Sequence, residues 1–157
     1  MNIQVKNVKI YDGLSEETVA FNASIYVDGK KVGDAKNNGR GGANDIDVFT
    51  KDGRWNRDLI SEMEDEAATH TWTYEGETYS HTLDSYIGKL VDDFDEQRSL
   101  KKLCRTKIVV SAEGEQNFGV FDAKWPKDIG GQLQLMSKLT KQLHPKVITE
   151  FINKRFE

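Results

Sequence analysis

"TVAFNASIYVDGKKVGDAK", residues 18–36, is the stretch on which the fold turns. Val19, Phe21, Ala23, Ile25 and Val27 fall on alternate positions, with polar or small residues between them. A period of two places such a set on one face of a β-strand. Asp28-Gly29 follows directly, and this pair suits a two-residue type I′ turn, whose central positions both need positive φ. The segment therefore reads as a β-hairpin whose turn sets Ile25 opposite Val32.

The flanks extend this reading. In "IQVKNVKI" (3–10) the apolar set changes parity once, from Ile3 and Val5 to Val8 and Ile10, as at a β-bulge. "IDVF" (46–49) reads as a short strand. Residues 55–68 carry Trp55, Leu59, Ile60, Met63 and Ala67 at helical spacing, with acids on the other face. "HTWTYEGETYSH" (70–81) is nearly symmetric about Glu75-Gly76. A turn at that pair sets Trp72 across from Tyr79 and His70 across from His81.

Residues 83–104 give the clearest helix, through Leu83, Tyr86, Ile87, Leu90, Val91, Phe94 and Leu103. Its C-terminal end is basic, at Arg98, Lys101, Lys102 and Arg105, in keeping with the helix dipole. A second antiparallel pair is expected in 106–125, turning near Glu113–Gln116. A helix is expected over 132–143, although "QLQLMS" also alternates as a strand would. Pro145 is suited to open a last helix carrying Val147, Ile148, Phe151 and Ile152. Hairpins interleaved with helices predict an α+β fold: a mainly antiparallel sheet built from hairpins and packed against three or four helices, in a single domain over residues 1–157.

Composition bounds the function. The 157 residues are 37% hydrophobic and 31% charged, within the globular range. No run approaches the roughly 18 apolar residues of a membrane span, and the alternating N-terminus does not read as a signal peptide. Cys104 is the only cysteine, which excludes an internal disulfide and fits a reducing cytoplasm. Charge is uneven. Residues 1–97 hold 10 Lys+Arg against 20 Asp+Glu, a net of −10, whereas residues 98–157 hold 12 against 6, a net of +6. That split suits attraction between copies, hence a homo-oligomer, or an acidic face offered to a basic partner. The overall charge of −4 disfavours direct DNA binding, although the basic C-terminal part leaves that alternative open.

The candidate site is "AKNNGRGGAND" (35–45). It matches neither the Walker A pattern nor G-x-G-x-x-G at a strand–helix junction. Its glycines nevertheless let backbone N–H groups approach an anion, and Arg40 has the fork geometry that grips phosphate or carboxylate. The residues expected to bind a ligand are Asn37, Asn38, Gly39, Arg40, Gly41, Gly42 and Asn44, with Trp72 and Tyr79 as surfaces for stacking a base. The plain alternatives are a turn-forming loop and a core or interface hairpin. His70 and His81 could share a metal, but no third ligand, HExxH or cysteine cluster accompanies them. No nucleophile, base and orienting group can be picked out, and Ser15 reads as a turn cap. The chain is therefore expected to be non-enzymatic, with no cofactor and no catalytic residue; the alternative left open is a nuclease-like hydrolase whose dispersed carboxylates meet only in space.

One resemblance adds context. Ser15-Glu16-Glu17-Thr18, Val27-Asp28-Gly29-Lys30 and the run Asn37-Asn38-Gly39-Arg40-Gly41-Gly42-Ala43-Asn44 resemble a pattern shared by small proteins of phages and bacterial mobile elements. Members of that group often carry histidine where this chain has Arg40. Weaker echoes lie in 81–93, 106–112 and 144–156, while 125–143 has no counterpart. The resemblance implies a phage accessory protein in the host cytoplasm and carries no catalytic residue with it. It implies counter-defence, either by sequestering a nucleotide or other phosphate-bearing signal, or by inhibiting a host defence protein through an acidic face.

Overall fold

The structure, a computed structural model, describes residues 1–114, 118–143 and 148–157. The chain gathers into two compact units, Met1–Asp95 and Glu96–Glu157. Their boundary falls inside a continuous helix and not at a linker.

The first unit opens with a four-stranded antiparallel meander, β1 (Ile3–Ile10), β2 (Phe21–Val27), β3 (Lys30–Asn37) and β4 (Asp45–Val48), in spatial order 1-2-3-4. Phe21, Ala23, Ile25 and Val27 of β2 are all buried, as their alternation requires. They pack with Ile3, Ala35 and Val48 against Met63 and Ala67 of α1 (Arg57–Thr69) and Leu83, Tyr86, Ile87 and Val91 of α2 (Leu83–Cys104). One hydrophobic layer thus joins sheet and helices.

Local chemistry explains the joints. Asp28 and Gly29 have φ of 48° and 79°, as a type I′ turn demands. The parity change in β1 is a register shift between Lys6 and Lys9, with Asn7 at φ 54°. The expected pairing of Ile25 with Val32 is corrected. Ile25 faces Gly33, and the register shifts between Ile25 and Tyr26. Gly33 lies so close to β4 that a Cβ there would stand 2.0 Å from the Asp47 carbonyl oxygen, so no larger residue fits. Trp55 is also corrected. It precedes α1, where Asn56 caps the helix by accepting the Leu59 N–H at 3.2 Å. Trp55 stays outside, edge-on to Phe49.

Between the helices, β5 (Thr71–Tyr74) and β6 (Glu77–Ser80) form a two-stranded hairpin with the expected register, Trp72 opposite Tyr79. Glu75 and Gly76 at its turn have φ of 50° and 85°.

The second unit is a three-stranded antiparallel sheet in the order β8–β7–β9, from β7 (Ile108–Ala112), β8 (Gly119–Phe121) and β9 (Ile148–Phe151). Its helix α3 spans Ile129–Leu143, in agreement with the helix expected over 132–143. Central β7 is buried on both faces. Ile108 and Val110 meet Leu139 of α3 and Phe151, whereas Val109 meets Leu100 and Ile152. Buried Asn153 clips this unit together: its amide oxygen accepts the Val109 N–H at 2.8 Å, and its NH2 donates to the Lys107 and Cys104 carbonyls at 2.8 and 3.2 Å.

The last helix expected after Pro145 is a correction as well. Ile148–Phe151 is a strand, followed by a 3-10 turn at Ile152–Phe156, because β7 offers a second edge to a β-branched segment. Pro145 and Val147 lie outside the described residues, as do Glu115 and Gln116 of the expected turn; Glu113 and Gly114 are in a turn. The whole is an α+β fold with antiparallel sheets built largely from hairpins, and with three α-helices among the described residues.

Candidate functional site

The glycine loop joins β3 to β4 and folds back over residues 15–18. The Gly39 carbonyl oxygen accepts three consecutive N–H groups, from Glu16 and Glu17 at 2.9 Å and from Thr18 at 3.3 Å. Successive N–H groups converging on one oxygen are the arrangement that binds anions in proteins. Here the chain's own carbonyl fills it.

The loop's other polar groups are spent in the same way. The Asn37 amide oxygen accepts the Thr18 hydroxyl and the Gly39 N–H, both at 2.8 Å, and its NH2 donates to the Asn44 side chain at 3.0 Å. The Asn38 side chain accepts the Arg40 N–H at 3.1 Å, and the Thr18 hydroxyl accepts the Gly41 N–H at 3.4 Å. Asn44 reaches α2, where its backbone N–H donates to the Asp84 carboxylate at 2.7 Å and its NH2 to the Asp84 carbonyl at 3.1 Å. The Glu64 carboxylate accepts the Leu83 N–H at 2.8 Å, so the start of α2 is tied to both α1 and the loop. The loop is first of all a clamp.

Two depressions flank it. A cleft of about 530 Å³ takes in Asn37, Gly42 and Asn44 together with Glu16, Glu17, Asp84 and Asp92, and no Lys, Arg or His lines it. Burial, then the neighbouring Asp93 and Asp95, hold the Asp92 carboxyl above the usual carboxylate range. Such a lining repels phosphate. The second, a groove of about 450 Å³, is lined by Tyr11, Leu14 and Asn38, by the cations Lys36 and Arg40, and by the acids Glu16 and Asp45. Lys36 pairs with Asp45 at 3.7 Å, whereas the Arg40 guanidinium makes no ion pair among the described residues.

The structure therefore separates the residues expected to act together. Asn37 borders both depressions, Asn44 and Gly42 border the acidic cleft, and Asn38 and Arg40 border the groove. Trp72 and Tyr79 border neither. They stack on each other with ring centroids 5.1 Å apart, and Tyr74 lies 6.3 Å from Trp72. Every residue of 71–80 is exposed, with Trp72, Tyr74 and Tyr79 at 46, 58 and 41%.

The base of this hairpin is held by the two histidines. His70 stacks on Tyr86 of α2 at 4.3 Å, and His81 Nδ1 lies 3.0 Å from the Ser85 hydroxyl. The His81 N–H donates to the His70 carbonyl at 3.0 Å. No group of three or more His, Cys, Asp or Glu among the described residues is placed to hold a metal. Ser15, as a turn cap should, donates to the Tyr11 carbonyl and accepts the Ala20 N–H. Sequence reasoning missed Tyr11 as a neighbour of Arg40, and Asp84 and Asp92 as neighbours of the loop. Only the chain's return across the sheet brings them there, and no spacing signals it.

These features define an α+β protein with a self-satisfied loop, one acidic cleft and a projecting aromatic hairpin. Among known proteins, the chain matches no family model, no curated protein and no solved structure. No helix among the described residues is long and apolar enough to cross a membrane.

Proposed function

We propose that this chain is a non-enzymatic protein-binding module that captures a partner with a basic surface through the β5–β6 hairpin and the neighbouring acidic face of α1. The observation that carries the reading is the hairpin itself. Its three rings leave on the order of 300 Å² uncovered, taking 150–250 Å² for each side chain. Exposed rings stacked on a two-stranded ribbon are already ordered, so little side-chain entropy is lost when they are buried by a partner. Glu75 and Glu77 flank them, and α1 adds exposed Asp58, Glu62 and Asp65. Acids around an aromatic centre select a basic partner and speed its approach. In the setting implied by the resemblance, that partner is a host defence protein.

The test places a photo-crosslinking side chain at Tyr74 in producing cells and identifies the captured protein. The purified pair is then compared with a Trp72→Ser/Tyr79→Ser variant. The reading expects at least a tenfold weaker Kd for that variant and a Kd that rises with salt. Equal affinity for the two forms would overturn it.

A second reading rests on Arg40. Its guanidinium, which makes no ion pair among the described residues, shares a groove with Lys36 and the exposed Tyr11 ring, a combination suited to a nucleotide or another phosphate-bearing signal. In this form of the ligand-binding idea, Tyr11 replaces Trp72 and Tyr79 as the stacking surface. Calorimetry with a nucleotide panel tests it: binding that Arg40→Gln removes supports it, and binding indifferent to that change refutes it.

A further inference from the structure

The second unit carries a surface whose character complements the hairpin. On α3, Leu135, Met136, Leu139 and Leu143 turn toward the core of that unit, and Ile129 and Leu133 stay 75 and 60% exposed. Leu133, Gln134, Ser137, Lys138 and Lys141 line a shallow groove of about 550 Å³ on the outer face. The helix contains two lysines and no acid, while the hairpin contains two glutamates and no cation. The imbalance extends to the units. Met1–Asp95 holds 10 Lys+Arg against 19 Asp+Glu, and Glu96–Glu157 holds 12 against 7.

Spacing matches too. Trp72 and Tyr74, two apart on a strand, lie about 7 Å apart along it. Ile129 and Leu133, four apart on a helix, lie about 6 Å apart along it. Leu133 shares its groove with Lys138 and Lys141, so a ring can cover Leu133 while Glu75 and Glu77 meet the two lysines; Ile129, one turn before Leu133, extends the apolar edge of that face.

We propose that the β5–β6 hairpin of one copy docks on the outer face of α3 in a second copy. This rests on the reading of the hairpin as a protein-docking element and names one partner for it. The contact is heterologous, because each chain brings one hairpin and one α3 face. A hairpin on a single helix face is a small interface, so association is weak, concentration-dependent and sensitive to salt. Self-association then competes with any other partner for the same rings.

Sedimentation velocity of the full chain tests this over about a hundredfold range of concentration, at about 0.05 M and 0.5 M salt. The expected result is a sedimentation coefficient that rises with concentration at low salt and stays monomeric at high salt. Trp72→Ser/Tyr79→Ser and Leu133→Glu/Lys138→Glu each abolish the rise, with circular dichroism confirming that both variants fold. Mixing the two variants yields a one-to-one heterodimer, because one intact hairpin and one intact α3 face remain. A wild-type chain that stays monomeric throughout, or an association indifferent to the α3 variant, overturns the proposal. The crosslinking experiment at Tyr74 reads the hairpin separately, so a monomeric chain whose hairpin still captures another protein defeats this inference alone.

Discussion

Replacing Gly39 by alanine isolates the clamp. Gly39 sits at φ +83°, and a Cβ there would meet the Leu14 carbonyl oxygen at 2.2 Å and the Ala20 Cβ at 2.9 Å. The left-handed conformation alone costs an alanine about 1–2 kcal/mol. The clash is with backbone, which cannot rotate aside, and overpacking of this kind costs about 1–3 kcal/mol. Any shift that relieves it loosens the three N–H groups held by the Gly39 carbonyl, each contributing about 1 kcal/mol. Gly39→Ala should therefore lose about 3–5 kcal/mol. Gly42→Ala supplies the control, since Gly42 has φ +95° but nothing within 4 Å of the added Cβ. That variant should lose only about 1–2 kcal/mol. Urea unfolding by circular dichroism measures both, and hydrogen exchange at the Glu16, Glu17 and Thr18 amides localises the effect. Equal losses in the two variants, with unchanged exchange at those amides, would refute the clamp.

Asn56→Ala removes the cap of α1 and should cost about 1 kcal/mol in urea unfolding. Asn153→Ala leaves the buried Val109 N–H and two carbonyls without their partner and should destabilise the second unit by about 2–4 kcal/mol, visible as faster exchange at Val109. The Asp92 carboxyl, raised in the fold, binds its proton more tightly there than in the unfolded chain. Its contribution to stability therefore falls as pH rises from the ordinary aspartate range, near 3.8, through the raised value. Asp92→Asn should accordingly gain stability relative to wild type at pH 7 and lose that advantage at about pH 3, as paired urea titrations would show.

Much of the fold was legible because short-range chemistry dictates it. The alternation of β2, the Asp28-Gly29 turn, the helix from Leu83 to Cys104 and the Trp72–Tyr79 register all follow from spacing within a dozen or so residues. The misreadings have long-range causes. Val32 lost its place opposite Ile25 because β4 crowds Gly33 and the strand bulges. Ile148–Phe151 became a strand because β7, far earlier in the chain, had an edge to fill. Trp55 stayed out of α1 because Asn56 is the better cap.

The site divides along the same line. By itself the sequence determined that a glycine-bearing loop would follow the first hairpin, which the structure confines to residues 38–44 between β3 and β4, and that the aromatic residues of 70–81 would share a hairpin face. Both properties are set by φ preferences and by a period of two. Only the tertiary structure decided what those features face. The Gly39 carbonyl fills the curve made by the N–H groups of residues 16–18, Asn44 is drawn onto α2, and Trp72 and Tyr79 border neither of the loop's two depressions. Partners separated by tens of residues meet through sheet order and helix packing, and those depend on the whole buried surface, which no local spacing records.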